Sequence, residues 1–200
     1  MQILIRRLAT LVLAGAVLGN AAHAGGLGAM ICEGWLPGGG VIKVANSAQL
    51  TDGEIAFIYL QANLFEVETA KLGMTLGTSD DVKQHGEMVA RDHRGVVKMF
   101  EELLHMNHIN PVETSGSAAS IAQHLAVMTD LKTRKGADFD KAYLAHEAGN
   151  HRAVIDAIRN TLLPAVKNSA VAGHMKDVLP AFEHHLSMTL EAAKKAGIQR

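Results

Sequence analysis

A single cysteine, Cys32, is all the thiol that this 200-residue chain carries. One thiol excludes an internal disulfide framework and any zinc cluster built on cysteine. Aromatic residues reach only 4 %, a composition that suits helices packed on Ala, Leu, Val and Met better than a β-sandwich. Charge of one sign is lacking too: 19 Lys+Arg stand against 20 Asp+Glu, a formal net charge of −1. No basic field exists to attract nucleic acid or an anionic membrane surface, so nucleic acid is not expected as a partner. No period-two alternation is long enough for a sheet, and no internal repeat is visible. What the chain does have is apolar residues at 48 %, enough for a packed core, and 11 histidines. Histidine is the commonest metal ligand.

Residues 1–24 read as a secretory signal peptide. Arg6 and Arg7 form the charged start, Leu8–Leu18 the apolar core, and Ala22-His23-Ala24 the small-x-small cleavage site. The apolar run is too short to span a bilayer, which takes about 20 residues. Cys32 follows Ala29-Met30-Ile31, which is no lipoprotein box. The expectation is cleavage after Ala24 and export to a bacterial periplasm, with no transmembrane anchor left. Cleavage removes Arg6, Arg7 and His23, taking the net charge from −1 to −3 while the histidine enrichment survives.

Residues 25–47 form a glycine-rich N-terminal arm carrying Cys32 and Trp35, and 48–197 the domain proper. Four segments there carry helical periodicity, near 52–72, 79–106, 138–160 and 171–195, with a shorter helix near 118–132. Thr51 or Asp52, with Glu54 behind, caps the first; Gly73 is expected to close it. The third should end before Pro164, and Pro180 should kink or restart the fourth. The pattern predicts an all-α four-helix bundle with a short extra helix in the connection between its second and third helices.

Each of the last three long helices places one histidine in the middle of its apolar stripe: His93, His151 and His185. Glu66 holds the equivalent place on the first. An unpaired buried carboxylate costs several kcal/mol, so an inward Glu calls for a cation or several donors. One Glu and three imidazoles converging from four helices would make a site for Fe, Zn, Cu or Mn. Asp92, beside His93, and Glu147, one turn before His151, stand as supporting groups that ligate or orient an imidazole. His85, His105, His108, His124, His146, His174 and His184 fall off the stripes or near helix ends and are expected in solvent. The paired Glu-x-x-His motifs of diiron carboxylate proteins are absent: Glu87 precedes His93 by six residues, and position 182 is Phe182. The methionines are scattered without the close clustering that cuprous sites use. No phosphate-cradling loop, no Gly-x-Ser-x-Gly elbow and no His-Glu-x-x-His pair occurs, so no catalytic residue and no organic cofactor is assigned.

Several stretches then follow in a recognisable order: Glu66-Val67; Met88 to His93, reading Met-Val-Ala-Arg-Asp-His; Phe139-Asp140-Lys141-Ala142-Tyr143 with His151; and Leu179-Pro180 with His184-His185. That order resembles the bacterial exported family called domain of unknown function 4142, often labelled predicted outer membrane protein, over about residues 50–192. The resemblance implies a ferritin-like four-helix bundle and carries no settled activity. It places the family's recurring Glu, Asp-His, His and His on Glu66, Asp92-His93, His151 and His185. Neither barrel strands nor a lipobox support the outer-membrane label. Three functions stay open: a periplasmic bundle that stores, buffers or senses a transition metal; a structural or stress-related bundle whose polar core only fixes packing; and a redox enzyme with a mononuclear metal.

Overall fold

The computed structural model describes residues 50–198. The expected leader and the glycine-rich arm, with Cys32 and Trp35, lie outside the described residues. Within them the chain is all-helical, with no strand. Five helices follow in order: α1 Asp52–Leu76, α2 Asp80–Met106, α3 Ser117–Thr133, α4 Gly136–Ala157 and α5 Ser169–Lys195.

The helix starts are chemically explicit. Thr51 forms a capping box, its hydroxyl accepting from the Glu54 amide at 3.2 Å while Glu54 Oε2 accepts from the Thr51 amide at 2.9 Å. Ser79 caps α2, with Asp80 and Asp81 in the first turn to complement the helix dipole. Asp140 of α4 secures the same α2 terminus from outside. Its carboxylate accepts from the amides of Thr78 at 2.8 Å and Ser79 at 2.9 Å, and from the Thr78 hydroxyl at 2.7 Å. Asp52 of α1 likewise accepts from the amides of Lys167 and Asn168, which caps α5. Two carboxylates thus set helix against helix at opposite ends of the molecule.

Helix α1 packs along α2, α4 along α5, and α2 against α5; α3 lies on α1 and α4. One apolar layer joins Ile55, Tyr59, Phe100, Ile158, Met175 and Phe182. A second joins Val82, Leu131, Phe139, Tyr143 and Ala192 at the other end. The first draws on the start of α1 and the end of α2, the second on the start of α2 and the end of α5. Alternate directions along the chain follow from those pairings.

Two expectations about breaks need correcting. Gly73 does not end α1, which continues to Leu76; it is the point where Tyr143 packs so closely that an added Cβ would lie 2.5 Å from its ring. Pro164 does not stop the helix before it. The α4 path passes through a π-helical turn, Ile158–Leu162, into a last helical segment, Leu163–Ala165. The register change lets a residue without an N–H stand near a fresh helix start, where that donor is not needed. Of the kink or restart expected at Pro180, the restart does not occur: Pro180 lies inside α5, which runs on through it.

Glycine serves close approach again at Gly86, where α2 meets α1. A Cβ there would lie 2.6 Å from the carbonyl oxygen of Ala70 and 2.8 Å from the amide of Met74, both backbone atoms that no side-chain rotation can move away. Gly86→Ala gains at most about 1 kcal/mol of helix propensity and forces the two helices apart, which costs more. The expected net loss is about 2 kcal/mol, or about 4–8 °C in Tm for a domain of this size. Gly95, with nothing within 4 Å of its would-be Cβ, supplies the control: Gly95→Ala leaves Tm unchanged or raises it. Equal Tm values for the two variants would refute the close-contact reading of Gly86.

A buried imidazole–carboxylate cluster

Between the two apolar layers lies a polar pocket contributed by four helices. Glu66 comes from α1, His93 from α2, Glu147 and His151 from α4, and His185 from α5; all five are at most 2 % exposed. The ring centroids of His93 and His151 are 5.7 Å apart, those of His93 and His185 5.3 Å, and those of His151 and His185 5.5 Å. Glu66 Oε1 lies 3.7 Å from His151 Nδ1. Ligand atoms of His93, His151 and His185 lie within 4.8 Å of one another, and so do those of Glu66, Glu147 and His151. Side chains from residues up to 119 positions apart thus meet at one height, because the connecting turns fall near the midpoints between them.

Each imidazole is oriented by a partner outside the pocket. His93 Nδ1 lies 2.9 Å from Asn63 Oδ1, and the Asn63 amide group in turn donates to the Tyr59 carbonyl at 2.8 Å. Asn63 therefore presents an acceptor, and His93 carries its proton on Nδ1. His151 Nδ1 donates to the Glu147 backbone carbonyl at 3.0 Å. His185 Nε2 donates to Asp92 Oδ2 at 3.1 Å, Asp92 standing at the rim with its side chain 34 % exposed. The remaining nitrogens, His93 Nε2, His151 Nε2 and His185 Nδ1, are buried and have no hydrogen-bond partner. Each holds an unshared electron pair, the form in which imidazole binds a metal.

The carboxylates are less well provided for. Glu66 accepts a hydrogen bond from the Asn150 amide group through Oε1, while its Oε2 and both oxygens of Glu147 have no partner. No Lys or Arg is buried among the described residues. Burial works against ionisation of Glu66, yet His151, His93, Asn150 and His146 outweigh it and hold its pKa down at about 2. Burial, followed by the adjacent Glu66 charge, pushes Glu147 well above the carboxylate range. Of two carboxyl groups side by side, one is charged and the other keeps its proton. Burial likewise depresses His93 to about 3 and lowers His185, so both rings are neutral at pH 7.

A second polar chain adjoins the pocket. Thr189 donates to the His185 carbonyl at 2.7 Å and so accepts from His85 Nε2, also at 2.7 Å; His85 Nδ1 then accepts from the Tyr143 hydroxyl at 3.0 Å. His85 is therefore buried, not solvated as its place in the sequence led one to expect. His124 is buried as well, stacked on Phe65 with centroids 4.0 Å apart and bonded to Glu68 at 2.8 Å, which fastens α3 to α1. His105, His108 and His184 are exposed, as expected, and His146 and His174 are half-buried. Asn63, Asn150, Tyr143 and Thr189 were not anticipated. The first two were legible only as polar residues three positions before Glu66 and one before His151.

Fold and site together define an all-helical domain with a buried histidine–glutamate cluster able to hold a metal ion. The chain belongs to the family described as Domain of unknown function (DUF4142), whose sequence model matches residues 40–191. No curated protein and no solved structure matches it. None of the described helices is long and apolar enough to cross a membrane.

Proposed function

We propose that this chain is an exported, periplasmic protein whose residues 48–197 form a ferritin-like four-helix bundle. In this reading it binds a transition metal (Fe, Zn, Cu or Mn) within the cluster of Glu66, His93, His151 and His185. It would act as a store, buffer or sensor of that metal. Asp92 supports the site by orienting His185, and Glu147 by its backbone carbonyl under His151.

What supports a metal here is the state of the three imidazoles. Burying a polar atom without a partner costs about 1–3 kcal/mol, and the pocket leaves three such nitrogens facing one cluster. All three carry their proton on the far nitrogen, where an amide oxygen, a backbone carbonyl or a carboxylate receives it. A divalent cation would satisfy all three at once, and nitrogen-rich donors favour zinc, copper or iron over magnesium or calcium. Export rests on Arg6-Arg7, the apolar stretch after them, and Ala22-His23-Ala24.

Protein released by osmotic shock and purified without an affinity tag or chelating resin is expected to begin at Gly25 and to carry at least one equivalent of metal. A chain free of metal even after reconstitution would make the polar core a packing device instead, and a chain still beginning at Met1 would remove the periplasmic assignment.

A further inference from the structure

We infer that the pocket takes two divalent cations side by side, one among the imidazoles of His93, His151 and His185 and a second, harder one between the carboxylates of Glu66 and Glu147. The inference rests on the pocket being a metal site and goes beyond it in number and kind of ion.

Metal–ligand bonds of about 2.0–2.2 Å place any two donors of one ion within about 4.4 Å of each other. Within 4.8 Å, close to that reach, the three imidazoles form one group, and Glu66, Glu147 and His151 form another; the carboxylates do not join His93 and His185 in a common group. One ion cannot serve both sets. Nor is Glu147 placed as a mere prop for the imidazoles, since its backbone carbonyl alone holds His151. Its carboxyl group is fully buried and accepts no hydrogen bond from any other residue, nor does the adjacent Oε2 of Glu66; the proton that Glu147 keeps is all that lies between them. Three oxygens sharing a single proton remain after the three nitrogens have found an ion, and a cation displaces that proton.

The two positions differ in chemistry. The imidazole position offers three neutral nitrogens, which suit zinc, copper or iron. The carboxylate position offers oxygens alone, with His151 as the wall between the two, and suits a harder ion such as manganese or ferrous iron. The arrangement differs from paired Glu-x-x-His motifs. Here one helix contributes Glu147 and His151, four residues apart, and the other two histidine-bearing helices contribute no buried carboxylate.

Cobalt(II) titration of the metal-free, full chain tests this, read by electronic absorption and by elemental analysis after gel filtration. The wild type is expected to take up two Co²⁺ per chain in successive steps. The first gives the intense absorption of a low-coordinate, nitrogen-rich ion and the second the weak bands of a high-coordinate, oxygen-rich one. Glu147→Gln, isosteric and without charge, should keep the first step and weaken the second by about 100-fold; Glu66→Gln should also lose the second. Helix content by circular dichroism shows that the variants fold. One Co²⁺ per wild-type chain would overturn the second position and leave the imidazole position standing. Two Co²⁺ in both Gln variants would overturn the assignment to these carboxylates. No Co²⁺ in the wild type would overturn the inference together with the metal reading beneath it.

Discussion

Replacing His151 by alanine abolishes metal binding, whereas replacing His105 leaves it unchanged. His151 is the residue common to both donor groups, so its loss strips a ligand from the imidazole triad and removes the imidazole nearest Glu66. Removing one of three nitrogens from a small site costs at least the 10–100-fold that loss of an orienting partner costs; below that affinity the ion no longer survives gel filtration. A second readout is stability. An ion present at 100 times its Kd adds about 2.7 kcal/mol to the wild type, so zinc should raise the Tm of wild type and of His105→Ala but not that of His151→Ala. His105 is exposed on the last turn of α2 and serves as a histidine that can only contribute adventitious binding. The substitution itself removes a single hydrogen bond to a backbone carbonyl and leaves a cavity, so metal-free His151→Ala should remain helical though less stable. If it binds zinc as tightly as the wild type, the imidazole cluster is not the metal site.

Helical periodicity carried most of the fold because each long helix except α1 has a polar side to set against its apolar stripe. It also carried Glu66, His93, His151 and His185 into one pocket, since an inward polar residue at mid-stripe has nowhere else to go. The same rule would have found His85, four residues before Val89 and eight before His93 on one face of α2. Helix α1 resisted the rule over its first half: Ile55 to Asn63 are buried without interruption, so no face is marked there and Asn63 cannot be distinguished from its neighbours, whereas exposed Glu68 and Lys71 mark the face opposite Glu66. Glycine misled at Gly73, where absence of a side chain marks a contact with Tyr143, 70 residues away, rather than a helix end. That contact, like the clamp of Asp140 on the start of α2, is long-range and leaves no local signature. It does explain the Phe-Asp-x-x-Tyr stretch: Phe139 fills the core, Asp140 fixes α2, and Tyr143 bonds His85.

The metal-free chain should lose several kcal/mol of stability between pH 6.5 and pH 4.5. His85 decides the sign most clearly. In the folded chain its Nδ1 accepts from Tyr143, whose hydroxyl burial keeps protonated, and its Nε2 donates to Thr189. A second proton would meet the Tyr143 donor in a desolvated place, and desolvation, the largest cause, puts His85 at about 3. His93 is depressed to about 3 by burial and His185 is lowered. An unfolded histidine titrates near 6.5. Below that pH the unfolded chain therefore binds more protons than the folded one, and stability present above pH 6.5 drains away as the pH falls toward about 3. At pH 4.5, two pH units down, each of His85 and His93 contributes a loss of about 3 kcal/mol. Glu147 acts in the opposite sense, because its raised folded pKa makes the folded chain the better proton binder over this interval. One carboxyl group does not offset three histidines, and Glu66, held at about 2, adds its own loss only below about pH 4.5. Urea unfolding in the presence of a chelator at the two pH values measures the difference. His85→Gln should show a shallower pH slope, by up to about 1.4 kcal/mol per pH unit for the one proton removed. A chain equally stable at pH 4.5 and pH 6.5 would mean that these imidazoles are charged in the folded state, and with that the buried electron pairs on which the metal site depends would not exist.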